Sequence, residues 1–382
     1  MGIDRSGTLA AVCSAREGTV TPQFAPLSLR RLCPMLAASL VYCSEAPRTA
    51  PSETGPRVES LGSVRLQERD SMIVAKPLAV AIDPLDGSYY IADNFVGRVT
   101  RWSRQGEFVT AYGAASVPRA KTKYLWSVFL VDSSVVLVDL SARELRSFDR
   151  RTGALVGTRS FRGVPWRIIS AQDGDSVWLG ARDPARSTAV LRWDVTNDSV
   201  AGLATLPAAF TRDRRLGPFI EVPLARWADT LLVGFSPTAL RLLDSRGTLL
   251  DTITVPARRR RGWSTAALRR VDPRNGPGLV TAVSSLFGVH RLPSAETALL
   301  YYDYHQRGGG LSALIFVTLL SNDRRRACVD TQIPISADLL PVTQMRGDTL
   351  FVLSQRVIGG KPTAIISLFR ITNEQCVWTA VD

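Results

Sequence analysis

The sequence predicts an all-β fold, a six-bladed β-propeller whose blades are four-stranded antiparallel sheets. Short apolar strands alternate with turn signals over most of the chain, and few segments have the periodicity of an amphipathic helix. One strand-and-turn unit also recurs about every 45 to 50 residues, which is a spacing typical of propeller blades. Together these observations indicate a closed ring of similar blades.

The clearest blade lies in residues 77–113. Asp-Pro and Asp-Gly steps within residues 83–87, and a second turn at Gly106, divide it into short segments. The predicted strands are residues 78–82, 88–92, 98–102 and 107–112. Four antiparallel strands in about 37 residues make one blade.

The second and third strands of this unit recur along the chain. They are apolar without strict alternation, as expected of strands that lie between two neighbouring blades. The predicted second strands are residues 88–92, 135–139, 176–180, 230–234 and 349–353. The predicted third strands are residues 98–102, 144–148, 189–193, 240–243 and 365–371.

The repeat is less regular between residues 250 and 336. Residues 298–304, 311–320 and 328–333 predict three strands of another blade, and residues 280–286 are the candidate for its first strand. Residues 257–278 are rich in arginine and proline and predict an insertion, with a degenerate seventh blade as the alternative.

A closed ring has to join its two ends. Residues 58–67 precede the first full blade and are suited to complete the last one, beside residues 376–381. This N-terminal strand would cover an edge that could otherwise pair with another chain.

The first blade resembles a known repeat. Residues 91–102, IADNFVGRVTRW, with GEFV at residues 106–109, resemble the strand, loop, strand and closing turn of an NHL repeat. The plan of the chain is also similar to exported six-bladed propellers of bacteria. In the other blades the resemblance is one of spacing.

Residues 1–56 predict an export leader followed by a flexible spacer, and residues 57–382 the propeller. Arg30 and Arg31 precede an apolar stretch, residues 32–43, which is too short to span a bilayer stably. The segment ending at Cys43 resembles a lipobox, so Cys43 is the lipidation candidate, although Tyr42 is larger than that motif expects. We expect a cell-envelope or secreted protein, either a periplasmic or outer-membrane lipoprotein or a cleaved secretory protein. The alternative is no export.

Two cysteines lie outside this leader, Cys328 and Cys376. Both fall in segments predicted to be outer strands of consecutive blades, so a disulfide is possible in an oxidising compartment. The alternative is a pair of buried free thiols.

The formal charge of +13 comes almost entirely from arginine, with 43 Arg against 4 Lys. We interpret this excess of arginine over lysine as a coding bias rather than selection for phosphate, and nucleic acid is not the expected partner. The runs at residues 258–261 and 324–326 lie beside turn signals and predict solvated loops. A polyanion-binding propeller remains the second alternative.

The sequence contains no complete catalytic motif, since GxSxG, HExxH, CxxC, Walker and GxGxxG patterns are all missing. His290 and His305 are its only histidines. The acidic clusters at residues 83–87 and 173–175 lack the spacing of a calcium loop and predict turns. We therefore predict no catalytic residue, metal or cofactor, and favour a binding function over a hydrolase or lyase that uses the channel.

The candidate binding residues lie at predicted blade entrances and at the ends of second strands, which open on one face of a propeller. They are Asp93, Asn94, Tyr124, Trp126, Asp139, Trp166, Arg167, Arg182 and His305. Aromatic stacking with Arg and Asp hydrogen bonds would suit a protein, peptide or glycan partner bound at the channel mouth of a monomer. The alternatives are that Trp126 and Trp166 pack between blades, that Asp93 bonds its own backbone, and that His305 lies on a solvated loop.

Overall fold

The structure is a computed structural model. It describes residues 54–69, 72–113, 125–139, 141–160, 169–173, 176–183, 188–194, 197, 199–208, 213–216, 222–227, 229–235, 239–262, 264–307, 310–335 and 341–381. The predicted leader, with Cys43, lies outside these residues. Among the described residues, no helix has both the length and the apolar character that crossing a bilayer requires.

Six antiparallel sheets follow one another along the chain, and each forms one blade of a six-bladed propeller. Blade 1 contains β2 (Pro77–Ile82), β3 (Tyr89–Asp93), β4 (Arg98–Trp102) and β5 (Phe108–Gly113). Blade 2 contains β6 (Leu125–Val131), β7 (Ser134–Asp139), β8 (Glu144–Asp149) and β9 (Leu155–Ser160). Blade 3 contains β10 (Ile169–Asp173), β11 (Ser176–Asp183), β12 (Thr188–Asp194) and β13 (Ser199–Thr205).

The remaining blades have the same strand order from the inner to the outer edge. Blade 4 contains β14 (Leu224–Trp227), β15 (Thr230–Phe235), β16 (Ala239–Asp244) and β17 (Leu249–Ile253). Blade 5 contains β18 (Ser285–Arg291), β19 (Thr297–Arg307), β20 (Gly310–Leu320) and β21 (Arg326–Gln332). Blade 6 contains β22 (Val342–Arg346), β23 (Thr349–Ile358), β24 (Lys361–Thr372) and, as its outer strand, β1 (Arg57–Arg65).

The second strand of each blade is apolar because both of its faces are covered by neighbouring blades. All five residues of β3 are buried, as are five of the six in β7. The outer strand β9, by contrast, is almost entirely exposed. Between blades 1 and 2 the rings of Tyr90, Tyr112 and Phe148 form a ladder, with centroids 5.9 and 6.4 Å apart. The core therefore lies between the blades, which explains the apolar runs in the sequence.

The N-terminal strand closes the ring as predicted. β1 pairs antiparallel with β24, from Arg57 opposite Thr372 to Arg65 opposite Ile365. The predicted neighbour of this strand was wrong, because the C-terminal residues do not lie beside it. They form β25 (Thr379–Ala380), which adds a fifth strand outside β21 in blade 5.

The insertion between blades 4 and 5 contains two short helices, α1 (Thr265–Arg269) and α2 (Gly276–Ala282), and the described part of the chain forms six blades. The prediction of a first strand at residues 280–286 was wrong, since that strand is β18. Asn275 caps α2 by accepting the Gly278 N–H at 2.9 Å. Leu279 and Val283, four residues apart, are both buried in one cluster, so this apolar run packs as one side of a helical turn.

Cys328 and Cys376 form a disulfide with their Cα atoms 5.4 Å apart. Cys328 lies in β21, whereas Cys376 lies in the C-terminal segment just before β25 and not in the next blade. The bond therefore fastens the C-terminus to the outer edge of blade 5. At the other end of the described chain, Gly55 and Pro56 are buried, and a Cβ added at Gly55 would collide with Thr331 of β21.

Candidate functional site

In each blade, the loop between the second and third strands opens on the same face as the connection to the next blade. We call this the connection face. Six of the nine candidate residues predicted from the sequence belong to described segments that reach it. In blades 1 to 5 the turn between the third and fourth strands lies on the opposite face.

Asp93 ends β3 and is fully buried. One carboxylate oxygen accepts the N–H groups of Ala75 and Lys76 at 2.5 and 3.0 Å, and the other accepts those of Phe95 and Val96 at 2.8 and 3.2 Å. The carboxylate thus joins the connection from blade 6 to the loop of blade 1. These bonds favour the alternative that Asp93 serves its own backbone.

Asp139 holds the corresponding position at the end of β7 and is also fully buried. Its Oδ1 accepts the N–H groups of Ser141 and Ala142 at 3.0 and 3.1 Å and the Ser141 hydroxyl at 2.8 Å. Its Oδ2 lies 3.4 Å from Nη2 of Arg146. Asp139 therefore shapes its loop, and its charge is balanced within blade 2.

The other candidates are placed less completely. The Asn94 N–H donates to the carbonyl of Lys76 at 3.0 Å, and its side chain is partly buried beside Asp93. Trp126 lies in β6 with a partly buried side chain. Arg182 lies in β11, where only its backbone is described. Tyr124, Trp166 and Arg167 lie outside the described residues.

His305 was predicted on a loop, but it lies within β19, opposite Ser312 of β20, with an exposed side chain. The strand continues past it because blade 5 carries a long hairpin. His290, the other histidine, lies in the inner strand β18. Burial lowers the pKa of His290 to about 4, although part of the side chain still reaches solvent.

Blades 5 and 6 carry polar groups of a similar kind that sequence reasoning did not single out. Asp303 of β19 accepts the backbone N–H of Arg261 at 3.1 Å and its Nε–H at 2.5 Å. The guanidinium also donates to the carbonyls of Thr281 and Tyr304. In blade 6, the Gln355 side-chain amide donates to the carbonyl of Val74.

Asp330 of β21 holds the start of the insertion. Its Oδ2 accepts the N–H groups of Arg258, Arg259 and Arg260 at 2.5, 2.9 and 3.3 Å. Its Oδ1 accepts Nε–H of Arg260 at 2.9 Å, and both side chains are buried. The prediction that residues 258–261 form a solvated run was therefore wrong for Arg260, and Arg261 is only partly exposed. The one signal in the sequence for this contact was an acidic residue, Asp330, near the end of an apolar strand.

Two hairpins project from the connection face. In blades 1 and 2 the pairing of the second and third strands ends level with the inner strand, at Asp93 and Asp139. In blade 5 it continues for five further pairs beyond Tyr302, and in blade 6 for five beyond Leu353. At about 3.4 Å a residue, each hairpin extends roughly 17 Å past its inner strand.

The tip of the blade 6 hairpin combines apolar and basic groups. Val357 and Ile358 are 61% and 42% exposed, and Lys361 is exposed after the turn. Gly359 and Gly360 form this turn with φ of 58° and 76°, the left-handed backbone that a two-residue hairpin loop requires. The blade 5 hairpin has an exposed polar tip that includes His305 and Gln306.

Among the residues that the structure describes, no group of three or more His, Cys, Asp or Glu side chains is arranged to hold a metal ion. The strand order and the closure by β1 place the chain in the class of six-bladed β-propellers. No family model matches the sequence, and no curated protein matches it. The resemblance to the NHL repeat therefore remains a prediction.

Solved structures share this fold at very low sequence identity. A member of the DUF4221 family from Bacteroides vulgatus is 8% identical and superposes with a TM-score of 0.61, over 84% of this chain and 99% of that one. A protein of Bacteroides fragilis whose name describes it as exported is 9% identical, with a TM-score of 0.53 over 85% of this chain and 97% of that one. At such identities the similarity concerns the fold alone.

Proposed function

We propose that this chain is an exported β-propeller that binds a protein, peptide or glycan partner on its connection face, through the projecting hairpins of blades 5 and 6. The observation that carries the proposal is the length of these hairpins. Their tips extend past the inner strands, with exposed side chains at His305 and Gln306 in blade 5 and at Val357, Ile358, Lys361 and Pro362 in blade 6. Exposed tips of this kind add little to the stability of the ring, so we expect them to contact a binding partner.

The hairpin tips have the surface that a partner needs. Exposed Val357 and Ile358 supply apolar area, and flanking polar and basic side chains supply hydrogen bonds. Beyond the inner strand β22, the edge of the blade 6 hairpin also offers backbone groups to which an extended segment could add as a further strand. A peptide-like partner therefore fits this surface well.

Two observations support export. The Cys328–Cys376 disulfide is of a kind that persists in oxidising compartments. The structurally similar protein from Bacteroides fragilis is described as exported. Both agree with the leader that the sequence predicts at residues 1–56. For the alternative of a hydrolase or lyase acting in the channel, the described residues provide no comparable observation.

Site-specific photo-crosslinking in the organism that encodes the chain tests the binding surface. A crosslinking residue replaces Gln306 or Ile358 at the hairpin tips, and Leu85, an 81% exposed residue of the opposite face, serves as the matched control. We expect a discrete adduct of higher mass from both tip positions and none from position 85. Equal labelling at all three positions, or adducts at position 85 alone, would refute the proposal.

A shortened hairpin supplies the complementary variant. Removing Val357, Ile358, Lys361 and Pro362 deletes two strand pairs and leaves Arg356 opposite Thr363 across the same Gly-Gly turn. An even number of pairs must be removed, because hydrogen-bonded and non-hydrogen-bonded pairs alternate along an antiparallel hairpin. We expect an unchanged circular dichroism spectrum and loss of the adduct from position 306. A shortened protein that still forms this adduct would count against a joint surface of the two hairpins.

A further inference from the structure

The insertion between blades 4 and 5 concentrates positive charge. Residues 257–278 contain seven arginines and one acidic residue, Asp272, within a chain whose formal charge is +13. A bias toward arginine codons replaces lysine by arginine, but it does not gather the charge of a chain into one short segment. The concentration therefore calls for a structural or a functional reason.

The seven arginines differ in their surroundings. Arg260 and Arg261 are paired with the buried carboxylates of Asp330 and Asp303. The other five have exposed side chains, and we call them the arginine surface: Arg258, Arg259, Arg269, Arg270 and Arg274. Within the insertion, the one carboxylate, that of Asp272, accepts the backbone N–H of Arg274 at 2.8 Å.

The fold holds the arginine surface in place. The pairs that Arg260 and Arg261 form with buried carboxylates fix the first turn of the insertion, Ser264 caps α1, and Leu268 anchors that helix in the core. The exposed arginines of α1 and of the following turn are thus carried on a well-packed support. Long cations on such a support favour contact with an extended anionic surface.

The N-terminal end of the described chain lies against this surface. The Thr54 hydroxyl lies 2.5 Å from Nη1 of Arg258, and Gly55 is buried against β21. Cys43, the lipidation candidate, precedes Thr54 by eleven residues, which span at most about 35–40 Å. A lipid attached there would keep Arg258, at one end of the insertion, within roughly that distance of a bilayer.

We infer that the arginine surface binds an anionic membrane surface through the phosphates of lipid headgroups. Guanidinium groups donate paired hydrogen bonds to phosphate, and each basic residue near an anionic leaflet adds to the attraction. The position of Thr54 against Arg258 favours a membrane over a soluble polyanion. This inference goes beyond the proposed function, because it concerns a different set of residues and does not depend on the partner of the hairpins.

Vesicle sedimentation with the full chain tests the inference. Because Arg258 and Arg259 donate backbone N–H groups to Asp330, the variant replaces the other three surface arginines, Arg269→Gln, Arg270→Gln and Arg274→Gln. The control removes the same charge from the opposite face, Arg104→Gln, Arg151→Gln and Arg246→Gln, all of which are exposed turn residues. Both carry the same leader, so any binding by the leader is common to the two proteins.

We expect the arginine-surface variant to bind vesicles of phosphatidylglycerol and phosphatidylcholine on the order of 100-fold more weakly than the unaltered chain at low salt. The control should lose far less, and raising the salt should reduce the difference between the two variants. Equal losses in both variants would mean that only net charge matters and would overturn the inference. Binding to pure phosphatidylcholine should not distinguish them.

A lysine variant separates a membrane from a specific anion. Arg269→Lys, Arg270→Lys and Arg274→Lys keep the charge but remove the forked guanidinium, and a headgroup layer should accept this change with less than a tenfold loss. A loss as large as that of the glutamine variant would assign the surface to a discrete anionic ligand instead. If the glutamine variant binds soluble heparin more weakly than the unaltered chain but binds vesicles equally well, the inference would likewise be overturned. Crosslinking from position 358 is unaffected in either case, so the two proposals fail independently.

Discussion

The Asp330–Arg260 pair offers a sharp test of how the basic insertion is held. Asp330 is 1% exposed, and its two oxygens accept three backbone N–H groups, the Arg260 Nε–H and, at 3.0 Å, the Thr318 hydroxyl. Its backbone has a φ of 51°, a conformation that Asn also adopts readily. Asp330→Asn therefore removes the charge with little change in backbone strain or volume.

The two single substitutions should differ in cost. Asp330→Asn leaves the buried Arg260 guanidinium without its counter-charge, which costs about 3–5 kcal/mol of unfolding free energy. Arg260→Met leaves Asp330 with its three N–H donors and the Thr318 hydroxyl, so we expect a smaller cost of about 1–3 kcal/mol. The double variant should be more stable than the sum of the single costs predicts.

Urea unfolding followed by tryptophan fluorescence measures these differences, provided that the slope of free energy against urea is the same for all four proteins. Hydrogen exchange across residues 257–284 should rise in Asp330→Asn well before global unfolding. Equal costs for the two single substitutions, with additive effects in the double variant, would refute the assignment of a coupled buried pair.

Four further predictions follow from the fold. The double substitution Cys328→Ser and Cys376→Ser should lower the unfolding free energy by about 4 kcal/mol, because the unfolded chain regains the entropy that a cross-link over 48 residues removes. Thiol labelling of the unreduced, unsubstituted protein should find both sulfurs blocked. The pKa of His290 is lowered from 6.5 to about 4, so the unfolded chain binds more protons than the folded chain between pH 4 and 6.5. The free energy of unfolding should therefore fall by up to about 3 kcal/mol as the pH drops from 6.5 to 4. The variant His290→Gln should lose this contribution to the pH dependence of stability. Deleting residues 58–67 should expose the edge of β24 and cause aggregation in size-exclusion chromatography, whereas a soluble, equally stable truncation would show that this strand does not protect the ring. Intact-mass analysis of the exported protein should show loss of the leader, with a lipid on Cys43 if the lipobox is used; an unprocessed cytoplasmic chain would contradict export.

Much of the ring could be predicted from the sequence because the second and third strands of each blade lie between neighbours. Burial on both faces selects continuous apolar runs, and β3, β7 and β15 are recognisable for that reason. The same property misled the prediction at residues 280–286. A short buried run has the same composition in a helix as in a strand, and only the cap at Asn275 distinguishes α2.

The candidate site was less predictable, because its residues are defined by partners that are far away in the sequence. Arg261 pairs with Asp303, 42 residues away in the sequence, and Arg260 pairs with Asp330, 70 residues away. A run of four arginines gives no sign that two of them pair with buried carboxylates. The projecting hairpins were not predicted either. A strand that extends beyond the inner strand of its blade has the same kind of sequence as one that ends level with it.

The sequence by itself determined the blade repeat, the closing strand and the turn chemistry, because local burial patterns and turn residues are short-range properties. Only the tertiary structure decided that the C-terminal strand joins blade 5, that Asp93 and Asp139 bond backbone N–H groups of the surrounding loops, and which arginines remain exposed. These outcomes depend on which edges and charges meet once the ring closes. Long-range pairing of this kind leaves no periodic signal along the chain.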